Sequence, residues 1–197
     1  MRLRRRRGFT LVEVMVYSVL LGLMMTSLYQ LLSMTTAFVG DSMTTGALQA
    51  SAQKTAVRIT ADLSVAHKGS VVTGTTPPGV VFLSPRDGYG KITCDASGVI
   101  YWHQWVCYYL DTSTGTLMRK QIYITATTTP PAATYTPVDF VPVVGGVKLA
   151  DNVTNLTFSV SGAVVSMTAS FAAALHPQPG QTHDYTLQVQ NQAILRN

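Results

Sequence analysis

The chain has 197 residues, 47% of them apolar and 12% charged, and its 14 Lys and Arg against 9 Asp and Glu give a formal net charge of +5. Such an excess would ordinarily point to nucleic acid or an anionic membrane, yet five of the basic residues, Arg2, Arg4, Arg5, Arg6 and Arg7, stand in the first seven positions, which leaves nine basic against nine acidic in the rest. No basic groove is implied, and a remainder rich in Thr, Ser, Val, Ala and Gly favours exported β-structure over a charged cytosolic domain.

The arginine run holds the extreme N-terminus in the cytoplasm by the positive-inside rule, so the body after the next segment is exported. That segment, Phe9 to Leu28, is a twenty-residue span whose only formally charged side chain is Glu13. At about 1.5 Å per helical residue it crosses a bilayer core. An ionisable group near the middle of a membrane helix costs about 2.5 to 3.5 kcal/mol on insertion scales and is usually paired and functional. Glu13 lies in the first turns, where the penalty is lower, but it still needs a reason. Between the arginines and the span, Gly8 to Glu13 reads GFTLVE and looks like a cutting site, where the missing Cβ of the glycine permits close approach to the backbone. An ordinary secretory signal would place small residues after the apolar region, and Leu31, Leu32, Ser33 and Met34 offer no A-x-A pattern.

Helical character is expected from Thr10 to Ala66. Leu48, Ala52, Ala56, Ile59 and Leu63 recur at spacings of four, four, three and four, which makes one face. Gly40 and Gly46 flank Asp41 and Ser42 and mark 40 to 46 as the place for a bend or local unwinding, each glycine costing up to about 1 kcal/mol relative to Ala. The organisation expected is a leader at 1–8, a membrane or filament-core helix at 9–39, an amphipathic half at 40–66 and a β-rich head at 67–197. In the head the period becomes alternating, and strands are expected at 71–72, 80–83, 91–94, 99–110, 116–125, 153–161, 163–172 and 185–195. The bounding turns are 76–79, 95–98, 111–115, 161–162 and 176–180. The stretch 127–137, with Pro130, Pro131 and Pro137, is expected as an extended surface loop. An antiparallel sheet, or two, laid on the amphipathic half gives an α+β fold, and about 130 residues suffice for one core.

Cys94 and Cys107 are the only cysteines, in a segment placed outside the cytoplasm, so a disulfide is the default; it would stabilise by about 3 kcal/mol in the chain-entropy model. Thiols at this spacing with His103 alone between them match no zinc pattern. His67, His103, His176 and His183 lie in different segments, and no GxSxG, HExxH or phosphate loop accompanies them. Asp87-Gly88 and Asp95 suggest turns more than a calcium loop. Trp102 and Trp105 with Tyr101, Tyr108 and Tyr109 could stack on bases, but their strand spacing and the balanced charge favour core and interface roles. No cofactor, metal or small-molecule substrate is expected.

The arginine leader, Gly8, Phe9, Thr10, Leu11, Val12 and Glu13, followed by an uninterrupted apolar helix, resemble the class III signal of type IV prepilins and type II secretion pseudopilins. The resemblance implies a long helix packed on an antiparallel head. It also implies cleavage after Gly8 by a membrane prepilin peptidase, methylation of Phe9, and an assembly role for Glu13, the fifth mature residue, toward the N-terminal amine of a neighbouring subunit. Unlike many major pilins, the chain has Gln30 where a helix proline would stand. Val106 to Leu110 with Leu117 to Arg119, Leu149 to Phe158, and the ending Ala193 to Asn197 are similar to J-type pseudopilins and PilW-like minor pilins. The expectation is a non-enzymatic minor subunit of a machine for adhesion, twitching, DNA uptake or secretion. Its partners would be other pilins, the peptidase, the inner-membrane assembly platform and membrane lipid. Glu13, commonly missing from tip-most K-type subunits, argues for a place just beneath such a subunit. The competing class is a bitopic envelope protein that uses the helix as a plain anchor for an enzyme or receptor head.

Overall fold

The computed structural model describes residues 9–131, 135–174 and 184–195. Its elements run α1 (Leu11–Leu63), a 3-10 turn (Lys68–Ser70), β1 (Val72–Thr75), β2 (Pro78–Ser84), β3 (Trp102–Asp111), β4 (Thr116–Thr127), α2 (Pro137–Phe140), β5 (Val147–Ala150), β6 (Val153–Ser161), β7 (Val164–Ala174) and β8 (Asp184–Ile194). This is the α+β, pilin-like arrangement of a long N-terminal helix and antiparallel sheets. Residues 40–46 are helical rather than unwound. The chain separates into two compact units, Met1–Met43 and Thr44–Asn197, with the boundary inside that glycine-flanked stretch.

In the first unit α1 is apolar and exposed all round, and among the described residues α1 is the one helix long and apolar enough to cross a membrane. Several of its hydroxyls bond back within the helix: Ser18 Oγ donates to Val14 O at 2.9 Å, Thr26 Oγ1 to Gly22 O at 2.8 Å and Thr35 Oγ1 to Leu31 O at 2.8 Å. A hydroxyl bonded in this way presents little unmet polarity to hydrocarbon.

In the second unit, the stripe Leu48, Ala52, Ala56, Ile59 and Leu63 is buried as its spacing predicts. It joins one core with Val80, Phe82, Val106, Tyr108, Leu110 and Leu117 from a five-stranded sheet ordered β1-β2-β3-β4-β5, and with Leu156, Met167, Ala169 and Phe171 from a three-stranded sheet ordered β6-β7-β8. All pairings are antiparallel. Val81, Leu83, Trp105, Cys107 and Tyr109 alternate with the first set and point to the other face of the larger sheet, where a second cluster forms with Phe140. Burial on both faces explains why β2 and β3 read as continuous apolar runs instead of alternating ones.

The cover on that second face is Tyr135 and α2, at the end of the segment expected as an extended surface loop. Thr127 ends β4 and Pro137 opens α2. Tyr135 meets Trp105 and Phe140 edge-on, with ring centroids at 5.5 and 5.9 Å. Thr136 and Asp139 form a capping box at the start of α2, and Lys120 Nζ donates to Phe140 O at 3.0 Å and Val141 O at 2.7 Å at its end. A proline at the first helical turn loses no hydrogen bond, so Pro137 starts a structure there and does not preclude one.

Two further expectations change. Residues 91–94 form no strand; they make isolated bridges, Arg86 with Ile92 and Cys94 with Ile100. The reason is two like turns: Asp87 Oδ1 accepts from the Tyr89 and Lys91 amides, Asp95 Oδ1 from the Ser97 and Val99 amides. Gly90 and Gly98 supply the positive φ of 78° and 82°. The second change is β5, an unexpected edge strand that pairs Lys148 with Met118.

Candidate functional site

Thr10 precedes the first helical residue of α1 and is its N-cap; Glu13 is then the third helical residue. The Thr10 amide donates to Glu13 Oε2 at 2.9 Å, Thr10 Oγ1 donates to the same oxygen at 3.0 Å, and the Glu13 amide donates to Thr10 Oγ1 at 3.3 Å. This is a reciprocal capping box, Thr-x-x-Glu, which satisfies two amides that a helix start leaves orphaned. The carboxylate also faces the positive end of the helix dipole. Glu13 therefore has a structural task inside its own chain, which the spacing of Thr10 and Glu13 alone would have revealed. Both contacts from Thr10 use Oε2, so Oε1 is left for another donor.

Phe9, at the expected mature N-terminus, is exposed and meets Tyr17 edge-on at 6.2 Å. The other residues of the expected processing signal, Gly8, Arg4, Arg5, Arg6 and Arg7, lie outside the described residues. So do His176 and His183, the turn at 176–180, and Arg196 and Asn197 of the terminal motif.

The expected disulfide is not formed. Cys94 and Cys107 are free thiols, the first exposed and the second buried. Strand register gives the reason. Cys94 is bridged to Ile100, whereas Cys107 lies further along β3, opposite Val81 and Lys120. Seven residues of extended chain at about 3.3 Å each set the two on the order of 20 Å apart, and a disulfide needs Cα atoms within about 7 Å. Cys107 serves the second core cluster instead. Burial pushes its thiol well above the ordinary range, against a smaller opposing pull from Lys120.

The remaining candidates resolve into packing. Among the described residues no three His, Cys, Asp or Glu side chains gather as a metal site; Asp87 and Asp95 spend carboxylate oxygens on their own turns. His67 packs edge-on to Trp102 at 5.3 Å and His103 Nε2 bonds Thr93 Oγ1 at 2.7 Å. Trp102, Trp105, Tyr108 and Tyr109 are buried, which withdraws them from any stacking platform.

One buried polar group went unnoticed in the sequence. Asp62, on the apolar stripe of α1, accepts from Tyr108 Oη at 2.6 Å and from Arg119 Nε at 3.1 Å, and Arg58 approaches it to 3.8 Å. Arg119 also donates to Gln121 Oε1 at 2.8 Å. Burial, and next the Asp62 carboxylate, push the Tyr108 phenol up, so it acts as a neutral donor. The group ties α1 to β3 and β4.

The family model described as the prokaryotic N-terminal methylation motif matches residues 3–29. The match supports a type IV pilin or pseudopilin-like protein broadly, with association with other pilins and prepilin peptidase processing. With the apolar helix, it supports a membrane-anchored subunit. No curated protein and no solved structure matches the chain significantly.

Proposed function

We propose that the protein is a minor pilin or pseudopilin, a non-enzymatic subunit that helps start a type IV filament or secretion pseudopilus and sits near its tip. The observation that carries this reading is the methylation motif at residues 3–29 joined to an exposed apolar helix. In this reading Arg4, Arg5, Arg6 and Arg7 keep the leader cytoplasmic, the peptidase cuts between Gly8 and Phe9, and Phe9 is methylated on its new amine. The head is exported. The chain then moves from the inner membrane into the filament through the assembly platform and other pilins. The J-type and PilW-like stretches, Val106 to Leu110 and Leu117 to Arg119, support a minor over a major subunit; they are the two arms of the β3–β4 hairpin.

Intact mass measurement of the envelope protein tests the reading. The expected species begins at Phe9 with one extra methyl group, and a chain beginning at Met1 in cells with active peptidase would overturn it. The competing reading, a plain anchor for an exported head, draws support from the capping box, because capping alone gives Glu13 a use without any partner.

A further inference from the structure

Each sheet ends in two edge strands, and the edges are not alike. β1 and β6 are in contact with each other. β5 has four residues, carries Lys148 and pairs with β4 through a register shift. Short length, a lysine and a bulge are devices by which an edge escapes pairing. β8 has none of them. It runs eleven residues, Asp184–Ile194, keeps one register with β7 from end to end, and contains no proline and no charge beyond Asp184.

Hydrogen bonds at the end of β8 show which of its groups stand free. The Leu195 amide donates to Ala163 O at 2.8 Å, one step along the β7–β8 register. Antiparallel residues alternate between bonded and unbonded pairs, so the odd-numbered residues of β8 bond β7 and the even-numbered ones direct N–H and C=O away from the sheet. Asp184, Thr186, Gln188 and Gln190 are all exposed. The next amide of this row, Gln192, donates to Asn191 Oδ1 at 2.9 Å, and that side chain closes the edge. Among the described residues no strand pairs with the row from 184 to 190.

We infer that this edge is a self-association surface, on which two copies of the chain join antiparallel through 184–190 with a two-fold axis at Leu187. An antiparallel edge is complementary to itself under such an axis. Asp184 then stands opposite Gln190 of the second copy and Thr186 opposite its Gln188, and each pair exchanges two backbone hydrogen bonds. The Asp184 carboxylate meets a carboxamide N–H and not a second carboxylate. On the other face Leu187 meets Leu187 and Tyr185 meets Val189, all three only partly buried by their own core. A register moved toward Gln192 runs into the Asn191 side chain. A strand-edge contact is at the small end of interface sizes, so the dimer is weak and dissociates on dilution. The pairing does not depend on the filament reading.

The test is sedimentation equilibrium of the full chain in density-matched micelles, with Cys94→Ser throughout so that the exposed thiol links nothing. A dimer that dissociates on dilution is expected. Gln188→Pro removes an edge N–H and no bond to β7, and should weaken the dimer about thirtyfold, the loss of one hydrogen bond from each copy. Gln190→Asp, facing Asp184, should weaken it about fivefold, and Gln190→Lys should strengthen it by about the same factor. Ser159→Asp, on β6, should change nothing. Unaltered tryptophan fluorescence shows that each variant is folded. On oxidation, Thr186→Cys chains should cross-link to Gln188→Cys chains in a mixture, and neither to itself. A chain that stays monomeric up to the highest protein-to-detergent ratio, or a dimer indifferent to Gln188→Pro, would overturn the surface. A dimer in which Gln190→Asp and Gln190→Lys act alike, or in which either cysteine variant links to itself in preference to the other, would overturn the pairing about Leu187. None of these failures touches the mass measurement that tests the filament reading.

Discussion

Removing the Asp62 carboxylate leaves two buried groups without their shared acceptor, and the size of the loss follows from what surrounds them. In Asp62→Ala the Tyr108 phenol, fully buried, loses its 2.6 Å acceptor, and the Arg119 guanidinium, with 11% of its side chain exposed, loses the charge that compensates its desolvation. Breaking a buried pair from one side costs about 3 to 5 kcal/mol. Arg119 keeps its 2.8 Å bond to Gln121, and Arg58 faces solvent with 57% of its side chain exposed, so the low end, about 3 kcal/mol, is expected. Trp102 and Trp105 both lie in the second core cluster, and their fluorescence reports unfolding of the head alone. With a urea slope of about 2 kcal/mol per molar, the midpoint should fall by about 1.5 M. Replacing all three members by apolar groups, Asp62→Leu with Tyr108→Phe and Arg119→Met, should recover most of the loss, since no buried charge is then stranded. A midpoint unchanged in Asp62→Ala would refute the buried-charge reasoning. A triple variant as unstable as the single one would show that the group contributes attraction beyond mutual compensation.

Three other outcomes follow from the same geometry. Alkylation of the folded protein should label Cys94 and spare Cys107, whose raised thiol stays protonated until the head unfolds; non-reducing peptide mapping that finds the two joined would contradict the register. Gly79→Ala should destabilise by about 1 to 3 kcal/mol in the same urea assay, because an added Cβ would stand 2.5 Å from Tyr108 O across the β2–β3 ladder. Gly8→Leu should block leader removal, as seen by mass, much more than Gly8→Ala, if access to the peptidase cleft is what the glycine provides.

The parts legible in the sequence were those carried by local periodicity. Leu48, Ala52, Ala56, Ile59 and Leu63 announce a helix face whatever lies opposite, and hairpin residues such as Asp111 to Gly115 announce a turn. Asp62 belongs to the same face, but its partners stand 46 and 57 residues away; only tertiary register shows that a carboxylate there meets a phenol and a guanidinium. The cysteines fail for a related reason. Count and compartment argue for a bridge, whereas the Cys94–Ile100 bridge and the Cys107–Val81 pairing decide distance. Residues 91–94 alternate like a strand, but Asp87 and Asp95 cap turns on either side and leave too little chain for a ladder. The strand missed, β5, has only four residues and takes its order from β4.

The family resemblance points Glu13 toward a neighbouring chain, whereas Thr10 three residues before it signals a local use. The two roles are compatible, because the cap occupies Oε2 and leaves Oε1. After cleavage the Phe9 amine is four residues from Glu13, about 6 Å along the axis of its own helix, so the amine of another subunit competes with a self-pair. In a dry filament core an unpaired amine and carboxylate each carry a desolvation cost, and an intersubunit pair relieves both while fixing axial register. Glutamine at the third helical position still completes a capping box. Glu13→Gln therefore keeps the cap and removes the charge, whereas Thr10→Ala removes the hydroxyl cap and keeps the charge, at a cost of about 1 kcal/mol to the helix start. If pairing governs assembly, Glu13→Gln is cleaved and inserted at wild-type levels but co-purifies poorly with other minor subunits, and Thr10→Ala co-purifies normally. If capping is the whole of the role, the order reverses: Glu13→Gln enters complexes as efficiently as wild type, and the plain-anchor reading gains the residue that most argued against it.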